Sequence, residues 1–227
     1  MDLNVFYHIY VNEHLECLEI VKEQVNKIMN SKIYDKLNKI YCCLSGNNQK
    51  IYNLTIDYIE SLPSKFKLEK VKFNDKTYER MTFGVMKMLI KENSYYLYIH
   101  SKGVTHIGKD VYINSCDWRR CMEYFLIEYG DKCIDKLNEG YTTVGILYQT
   151  MPKKHYSGNF WWASGKYLIE LFSNNKIDDD YLGPEMFLLS NNGMPYDMAN
   201  YKDFRKRGFF CFYQRIRIDR KTYAIYD

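Results

Sequence analysis

Titratable side chains follow directly on the most apolar segment of the chain. Residues 95–99 read YYLYI, and the next four are His100, Ser101, Lys102 and Gly103. A lysine and a hydroxyl can bind a phosphate, a glycine lets the backbone turn sharply, and a histidine can ligate a metal or hydrogen-bond a sugar. This segment is the first candidate ligand site. The structural alternative is a solvated strand end that carries a lysine and a histidine.

A second cluster combines small polar residues with two adjacent tryptophans. Ser157, Gly158 and Asn159 precede Trp161 and Trp162. Because an indole ring can stack on a pyranose while an amide and a hydroxyl bind its hydroxyl groups, the cluster predicts a sugar-binding wall. The alternative places both tryptophans in the core and makes Ser-Gly-Asn a simple turn. The predicted wall residues for the sugar or acceptor are Trp161, Trp162, His155 and Asp117.

Two carboxylates lie near predicted helix starts. Glu185 follows Gly183-Pro184, and Glu79 precedes Arg80 at the start of a helix that leads to the YYLYI segment. Each glutamate can simply favour the positive end of a helix dipole. The functional alternative makes Glu185 a general base and places Glu79 at the same rim as His100.

The elements that position these residues alternate between strands and helices. Short β-branched and aromatic segments are separated by segments whose apolar residues recur at helical spacing. The predicted strands are 5–11, 39–44, 68–73, 95–99 and 143–148, with a C-terminal edge strand at 209–218. A long or broken helix is predicted over 118–137, with Gly140 as its cap. A wholly apolar strand after three strand–helix units predicts an α/β fold with a mostly parallel central sheet flanked by helices. We expect one domain over residues 1–227.

The order of these elements and motifs resembles a known enzyme family. Strand, helix, strand, helix, strand, a helix that carries Glu79-Arg80, and then YLYIHSKG is similar to nucleotide-sugar glycosyltransferases of the Rossmann-like GT-A fold. The resemblance extends to glycosyltransferases of giant DNA viruses and covers roughly residues 1–190. In that fold the fourth strand normally ends in an Asp-x-Asp motif that holds a divalent metal against the donor diphosphate. Here His100-Ser101-Lys102 stands in its place.

The resemblance implies a hexosyltransferase that moves a sugar from a nucleotide diphosphate, such as UDP-glucose, to a hydroxyl of a glycan or protein. Glu185 resembles the acidic residue that serves as base in inverting members, and Arg215 or Arg217 would help Lys102 to stabilise the departing diphosphate. The expected donor-binding residues are His8, Glu79, Arg80, His100, Ser101, Lys102, Ser157, Gly158 and Asn159.

The replaced motif changes what is expected of a metal. A lysine and a hydroxyl repel a dication but can neutralise a diphosphate directly. The sequence therefore predicts either a metal-independent enzyme or Mn²⁺ or Mg²⁺ held by His100 together with distant carboxylates. Asp178, Asp179 and Asp180 form the only literal Asp-x-Asp, and we expect them to be a solvated acidic turn.

Composition narrows the classes of function. The seven cysteines include no CxxC pair and are expected to be reduced core thiols. The chain shows no membrane-spanning segment and no signal peptide, which favours the cytoplasm, or the host cytosol for a viral protein. A net charge of +4 argues against nucleic-acid binding, although the basic segment 205–221 keeps that alternative open. A second alternative is a non-catalytic carbohydrate- or nucleotide-binding module, which would need the tryptophans but not Glu185.

Overall fold

The structure is a computed structural model that describes residues 1–74, 77–199 and 220–223, without the side chains of 221 and 222. The predicted edge strand 209–218, with Arg215 and Arg217, lies outside the described residues. The strands are β1 (Asp2–Val11), β2 (Leu37–Gly46), β3 (Phe66–Phe73), β4 (Ser94–His100), β5 (Thr143–Gly145), β6 (Tyr148–Gln149), β7 (His155–Tyr156), β8 (Trp161–Ser164) and β9 (Pro195–Asp197). The helices are α1 (Glu16–Met29), α2 (Gln49–Glu60), α3 (Arg80–Leu89), α4 (Tyr112–Glu123), α5 (Gly130–Asn138), α6 (Gly165–Asn174), α7 (Gly183–Phe187) and α8 (Arg220–Tyr223).

Within the described residues a seven-stranded sheet has the order β3-β2-β1-β4-β8-β5-β9. β1, β2, β3 and β4 are mutually parallel, whereas β8 runs antiparallel to both β4 and β5. The α/β prediction with a mostly parallel central sheet is confirmed. In this register His8 at the end of β1 pairs with His100 at the end of β4, so both histidines lie at the carboxyl edge of the sheet.

Both faces of the sheet are covered. Successive side chains of a strand point to opposite faces, so Tyr7 and Ile9 join the core beneath α1 and α2, while Phe6 joins the core beneath α3 and α6. Tyr98 on β4 belongs to the second core. Because helices cover both faces, β1 and β4 are apolar along most of their length, as the sequence predicted.

The long helix of the second half is broken, one of the two forms predicted. A π-helical segment, Tyr124–Glu128, separates α4 from α5. Gly140 follows α5 with φ of +103°, a left-handed conformation that a glycine adopts at a helix end, and this confirms the predicted cap.

The predicted strand 143–148 is wrong in its extent. It divides into β5 and β6, because Leu147 adopts a positive φ of 56° that interrupts the extended backbone. The Asp197 carboxylate accepts hydrogen bonds from the amides of Leu147 and Tyr148 and so stabilises the bend.

The six cysteines within the described ranges are buried and free, which confirms the predicted core thiols there; Cys211 lies outside those ranges. In the part of the chain that the structure describes, no helix has the length and apolar character needed to cross a membrane.

Candidate functional site

A cavity of about 730 Å³ opens at the carboxyl edge of the sheet, where β1, β2 and β4 end. In open α/β sheets this edge is where ligands bind. Side chains that bring chemistry to the wall are His8, Tyr10, Tyr78, Glu79, His100, Lys102 and Tyr181. Five of the residues that the sequence predicted for donor binding line this cavity, namely His8, Glu79, His100, Ser101 and Lys102.

His100 is held as a neutral imidazole. Burial and, second, the positive charge of Lys102 lower the pKa of His100 from 6.5 to about 3. Its Nε2 lies 3.0 Å from the carbonyl oxygen of Gly158, so this nitrogen carries the proton and donates it to that carbonyl. His100 therefore ties the end of β4 to the loop before β8.

Lys102 supplies a cation to the wall. Its Nζ lies 3.8 Å from the centroid of the Trp118 ring, a cation–π distance. Burial lowers the pKa of Lys102, and the negative charges of Glu185 and Glu79 raise it. Burial has the larger effect, so the pKa of Lys102 is lowered overall, while the two carboxylates and the aromatic face favour the charged form that can meet an anionic ligand.

The loop between β7 and β8 joins both carboxylates. The amide of Gly158 donates to Glu185 Oε1 at 2.6 Å, and Asn159 Nδ2 donates to Glu79 Oε2 at 2.6 Å. The Tyr98 hydroxyl donates to the same Glu79 oxygen at 2.7 Å. The loop therefore fixes Glu79 and Glu185 relative to each other, although the two residues belong to different helix starts.

The tight course of this loop requires glycine at position 158. Gly158 has a φ of +95°, and a Cβ atom there would lie 2.6 Å from Met122 Sδ and 3.0 Å from the Trp118 ring. Asn159 follows with a φ of 56°, which asparagine tolerates better than most residues. The Ser-Gly-Asn motif is thus a turn in which Gly158 and Asn159 each bind a carboxylate.

The Ser101 hydroxyl is hydrogen-bonded to the backbone of Tyr10. Its Oγ accepts from the Tyr10 amide at 2.8 Å and donates to the Tyr10 carbonyl at 3.1 Å. The expectation that Ser101 donates to a phosphate is therefore replaced by a positioning role, because its hydrogen is already used. Arg119 Nη1 donates to the Lys102 carbonyl at 3.1 Å and supports the same turn.

The predicted tryptophan wall is wrong. Trp161 and Trp162 are 1% and 0% exposed. Their indole N–H groups donate to Asn159 Oδ1 at 2.9 Å and to the Leu126 carbonyl at 2.8 Å, so both rings are buried without an unsatisfied donor. Because β8 lies inside the sheet, each of its faces meets a core, and both indoles pack there.

Three further predicted site residues lie away from the cavity. His155 is buried and its Nδ1 lies 2.8 Å from the Lys153 carbonyl, while Asp117 is buried on α4. The Arg80 guanidinium instead contacts the backbone carbonyls of Asp179 and Asp180. These placements correct the expectation that His155 and Asp117 form the sugar wall and that Arg80 binds the donor.

Four other predicted site residues, Ser157, Gly158, Asn159 and Glu185, do not line the cavity. Glu185 nevertheless lies close enough for its charge to act on His100 and Lys102.

The side chains at the end of β4 do not suit the coordination of a divalent metal. His100 Nε2 is engaged by the Gly158 carbonyl, and the ammonium group of Lys102 is near enough to lower the pKa of His100. Over the described ranges, no group of three histidine, cysteine, aspartate or glutamate side chains is arranged to hold a metal. Asp178, Asp179 and Asp180 are exposed, with Asp178 paired to Lys153, which confirms the predicted solvated acidic turn.

The sequence interpretation missed several wall residues. Tyr10, Asn47 and Asn74 lie at or just after the ends of β1, β2 and β3, and Tyr78 and Tyr181 also line the wall. The sequence carries a signal for the first three, because polar or aromatic residues at the ends of parallel strands collect at one edge of a sheet. Trp118, which supports Lys102, has no such signal, because it lies in the segment 118–137 that is predicted as a helix.

Two solved structures are among those with a chain course similar to this one. One is a 4-diphosphocytidyl-2C-methyl-D-erythritol synthase from Anaerococcus prevotii, with 10% identity, a TM-score of 0.43, and coverage of 86% of this chain and 87% of that chain. Another is HddC from Yersinia pseudotuberculosis, with 10% identity, a TM-score of 0.43, and coverage of 86% and 88%. No curated protein matches the chain. The chain belongs to the family described as a domain of unknown function, DUF8361, which matches residues 6–192.

Proposed function

We propose that this protein is a glycosyltransferase that transfers a sugar from a nucleotide diphosphate, such as UDP-glucose, to a hydroxyl acceptor. The observation that carries the proposal is Lys102, a cation on the wall of the strand-end cavity, with the carboxylates of Glu79 and Glu185 near enough to act on its charge. A cation suits a diphosphate leaving group, and a carboxylate suits the activation of a hydroxyl.

The size and walls of the cavity support a nucleotide-sized ligand. Its volume of about 730 Å³ lies in the range of about 300–1,000 Å³ typical of small-molecule sites. Tyr10 offers an aromatic wall, and Gly103, with a φ of +100°, turns the backbone directly after Lys102. In the proposed complex the diphosphate contacts Lys102 and the backbone of this turn.

The proposed reaction is a direct displacement at the anomeric carbon. Glu185 removes the proton of the acceptor hydroxyl as the acceptor oxygen forms its bond to that carbon. The bond from the carbon to the diphosphate oxygen breaks, and its electron pair leaves on the diphosphate. Lys102 offsets the negative charge that develops on this leaving group.

The two carboxylates take different roles in this proposal. Glu79 Oε2 already accepts hydrogen bonds from Tyr98 and Asn159, which hold the carboxylate in a fixed orientation suited to binding a substrate hydroxyl. Glu185 accepts a hydrogen bond from the Gly158 amide at Oε1. We assign proton removal to Glu185 because one backbone bond orients it without surrounding it with donors.

Two measurements test the proposal in sequence. The melting temperature is recorded with UDP-, GDP- and dTDP-sugars, with and without Mn²⁺, and with a single-stranded RNA as control. Nucleoside diphosphate release is then followed with methyl glycosides as acceptors. We expect stabilisation by at least one sugar nucleotide, none by RNA, and release that depends on acceptor. Stabilisation without release would favour a binding module, and stabilisation by RNA alone would overturn the proposal.

A further inference from the structure

Two tyrosine rings stand exposed at the wall of the cavity. Tyr78 is 53% exposed and Tyr181 is 70% exposed, and both line the cavity. Their ring centroids lie 5.7 Å apart with the planes at 90°. Exposed aromatic rings that line a concave site commonly bind ligands, because burial of their faces by a ligand is favourable.

The segment that carries Tyr181 is fixed to the start of α3. Arg80 Nη2 donates to the Asp180 carbonyl at 2.8 Å and also contacts the Asp179 carbonyl. The backbone of Gly183 packs closely against that of Asp178 in the same segment. Only glycine fits there, because a Cβ atom would lie 2.0 Å from the Asp178 carbonyl oxygen. The backbone segment that carries Tyr181 is therefore held in place before any ligand arrives, which lowers the entropy lost on binding.

The backbone at Tyr78 is strained. Its φ is +51°, which is uncommon for a residue with a bulky side chain. Residues held in such conformations concentrate at functional sites, where the surrounding structure offsets the cost. At Tyr78 this conformation coincides with an exposed ring on the cavity wall and with Glu79 as the next residue.

Carboxylates lie beside the rings. Local burial, followed by the negative charges of Glu79 and Glu185, raises the pKa of Tyr181. Glu79 follows Tyr78 in the chain and lines the same cavity as both rings. An aromatic face beside carboxylate acceptors matches a pyranose, which has an apolar C–H face and a rim of hydroxyl donors.

We propose that Tyr78 and Tyr181 form the acceptor subsite and that the acceptor is a glycan whose pyranose ring stacks on this pair. The inference rests on the proposed function and selects a sugar hydroxyl over a protein hydroxyl as acceptor. A stacked sugar would present a hydroxyl group to Glu79 and Glu185, while Lys102 contacts the donor from another part of the same wall.

The test uses disaccharides and does not require the donor. Saturation-transfer NMR titrations with maltose, lactose, cellobiose and N,N′-diacetylchitobiose are made on the full chain and on Tyr78→Ala, Tyr181→Ala and Tyr181→Phe. Leu182→Ala is the matched control, because Leu182 is the next residue, is 43% exposed and does not line the cavity. UDP affinity is measured by calorimetry on every variant.

We expect at least one disaccharide to bind the wild-type protein. Each alanine variant should weaken this binding by tenfold or more, while Tyr181→Phe and Leu182→Ala stay within about threefold of wild type and UDP affinity is unchanged. Failure of all four disaccharides to bind, or equal binding by the alanine variants, would overturn the inference. Loss of UDP affinity in the alanine variants would also overturn it and would make the pair a nucleobase platform. Absence of UDP binding by the wild-type protein would instead count against the proposed function.

Discussion

Glu79 and Asn159 lie 80 residues apart in the chain and are joined by a hydrogen bond of 2.6 Å. This bond links the start of α3 to the loop before β8. The adjacent Gly158 amide bonds to Glu185, so the loop sets the positions of both candidate carboxylates. The geometry of the site therefore depends on a turn that contributes little to the cavity wall itself.

A charge introduced at Asn159 should break this arrangement. Asn159→Asp leaves the size of the side chain unchanged, and aspartate also tolerates the φ of 56°. The substitution nevertheless places a second carboxylate against Glu79. We expect a loss of about 1.5–3 kcal/mol in the free energy of unfolding, the scale of a hydrogen bond to a charged group. Urea denaturation at neutral pH measures it.

The double variant is the control for this change. Glu79→Gln combined with Asn159→Asp restores a donor–acceptor pair with the roles exchanged, so at least half of the lost stability should return. Equal stability of the wild-type protein and Asn159→Asp, or no recovery in the double variant, would contradict the assigned contact.

The tryptophans of β8 should behave as core residues. Trp161→Ala removes a ring that is 1% exposed and stacks on Phe83 and Tyr98, so we expect a loss of about 3–5 kcal/mol in unfolding free energy. Trp161→Phe should recover part of that loss. Denaturant unfolding tests both. A Trp161→Ala protein with wild-type stability and altered sugar binding would restore the sugar-wall interpretation.

Stability should depend on the protonation of His100. Its pKa is about 3 in the folded protein and 6.5 without the fold, so the unfolded chain binds the proton more readily. The stabilisation is present above pH 6.5 and is lost as the pH falls from 6.5 towards 3. His100→Gln keeps a donor for the Gly158 carbonyl but does not titrate, so its unfolding free energy should change less between pH 7.5 and 5. Equal pH dependence in both proteins would contradict the neutral, buried state of His100.

Glu185 should affect turnover far more than binding. Glu185→Gln keeps an oxygen for the Gly158 amide but removes the proton acceptor, so the rate of diphosphate release should fall by roughly 10²–10⁴-fold with little change in donor affinity. Glu170→Gln, an exposed change on α6, serves as the control. A fully active Glu185→Gln protein would remove the catalytic assignment, and loss of activity in Glu79→Gln alone would transfer it to Glu79.

The alternating part of the fold was predictable from the sequence. Apolar strands separated by amphipathic helices require a buried parallel sheet, and the ends of β1 and β4 then place His8 and His100 together. Glu79 lies on the cavity wall at this edge, whereas Gly158 and Glu185 do not line the cavity and are hydrogen-bonded to each other.

The burial of the tryptophans and the contacts of Arg80 were not predictable from the sequence, because each depends on a distant partner. Trp162 is satisfied by a carbonyl in a π-helical segment, and a sequence does not show which carbonyls such a segment leaves available. Arg80 follows the cavity residue Glu79, yet its guanidinium bonds to a loop about 100 residues further along the chain. Long-range backbone contacts of this kind have no local sequence pattern.

The most direct test of the account is a calorimetric titration of UDP into the wild-type protein, Lys102→Ala and Lys109→Ala. Lys109 is an exposed lysine that does not itself line the cavity, and its Nζ donates to the carbonyl of the wall residue Thr105, so it controls for loss of a nearby positive charge. We expect the wild-type protein to bind UDP and Lys109→Ala to bind it with unchanged affinity. In Lys102→Ala we expect the free energy of UDP binding to weaken by about 1.5–3 kcal/mol. No binding of UDP, GDP or dTDP by the wild-type protein, or equal affinity in Lys102→Ala, would contradict it.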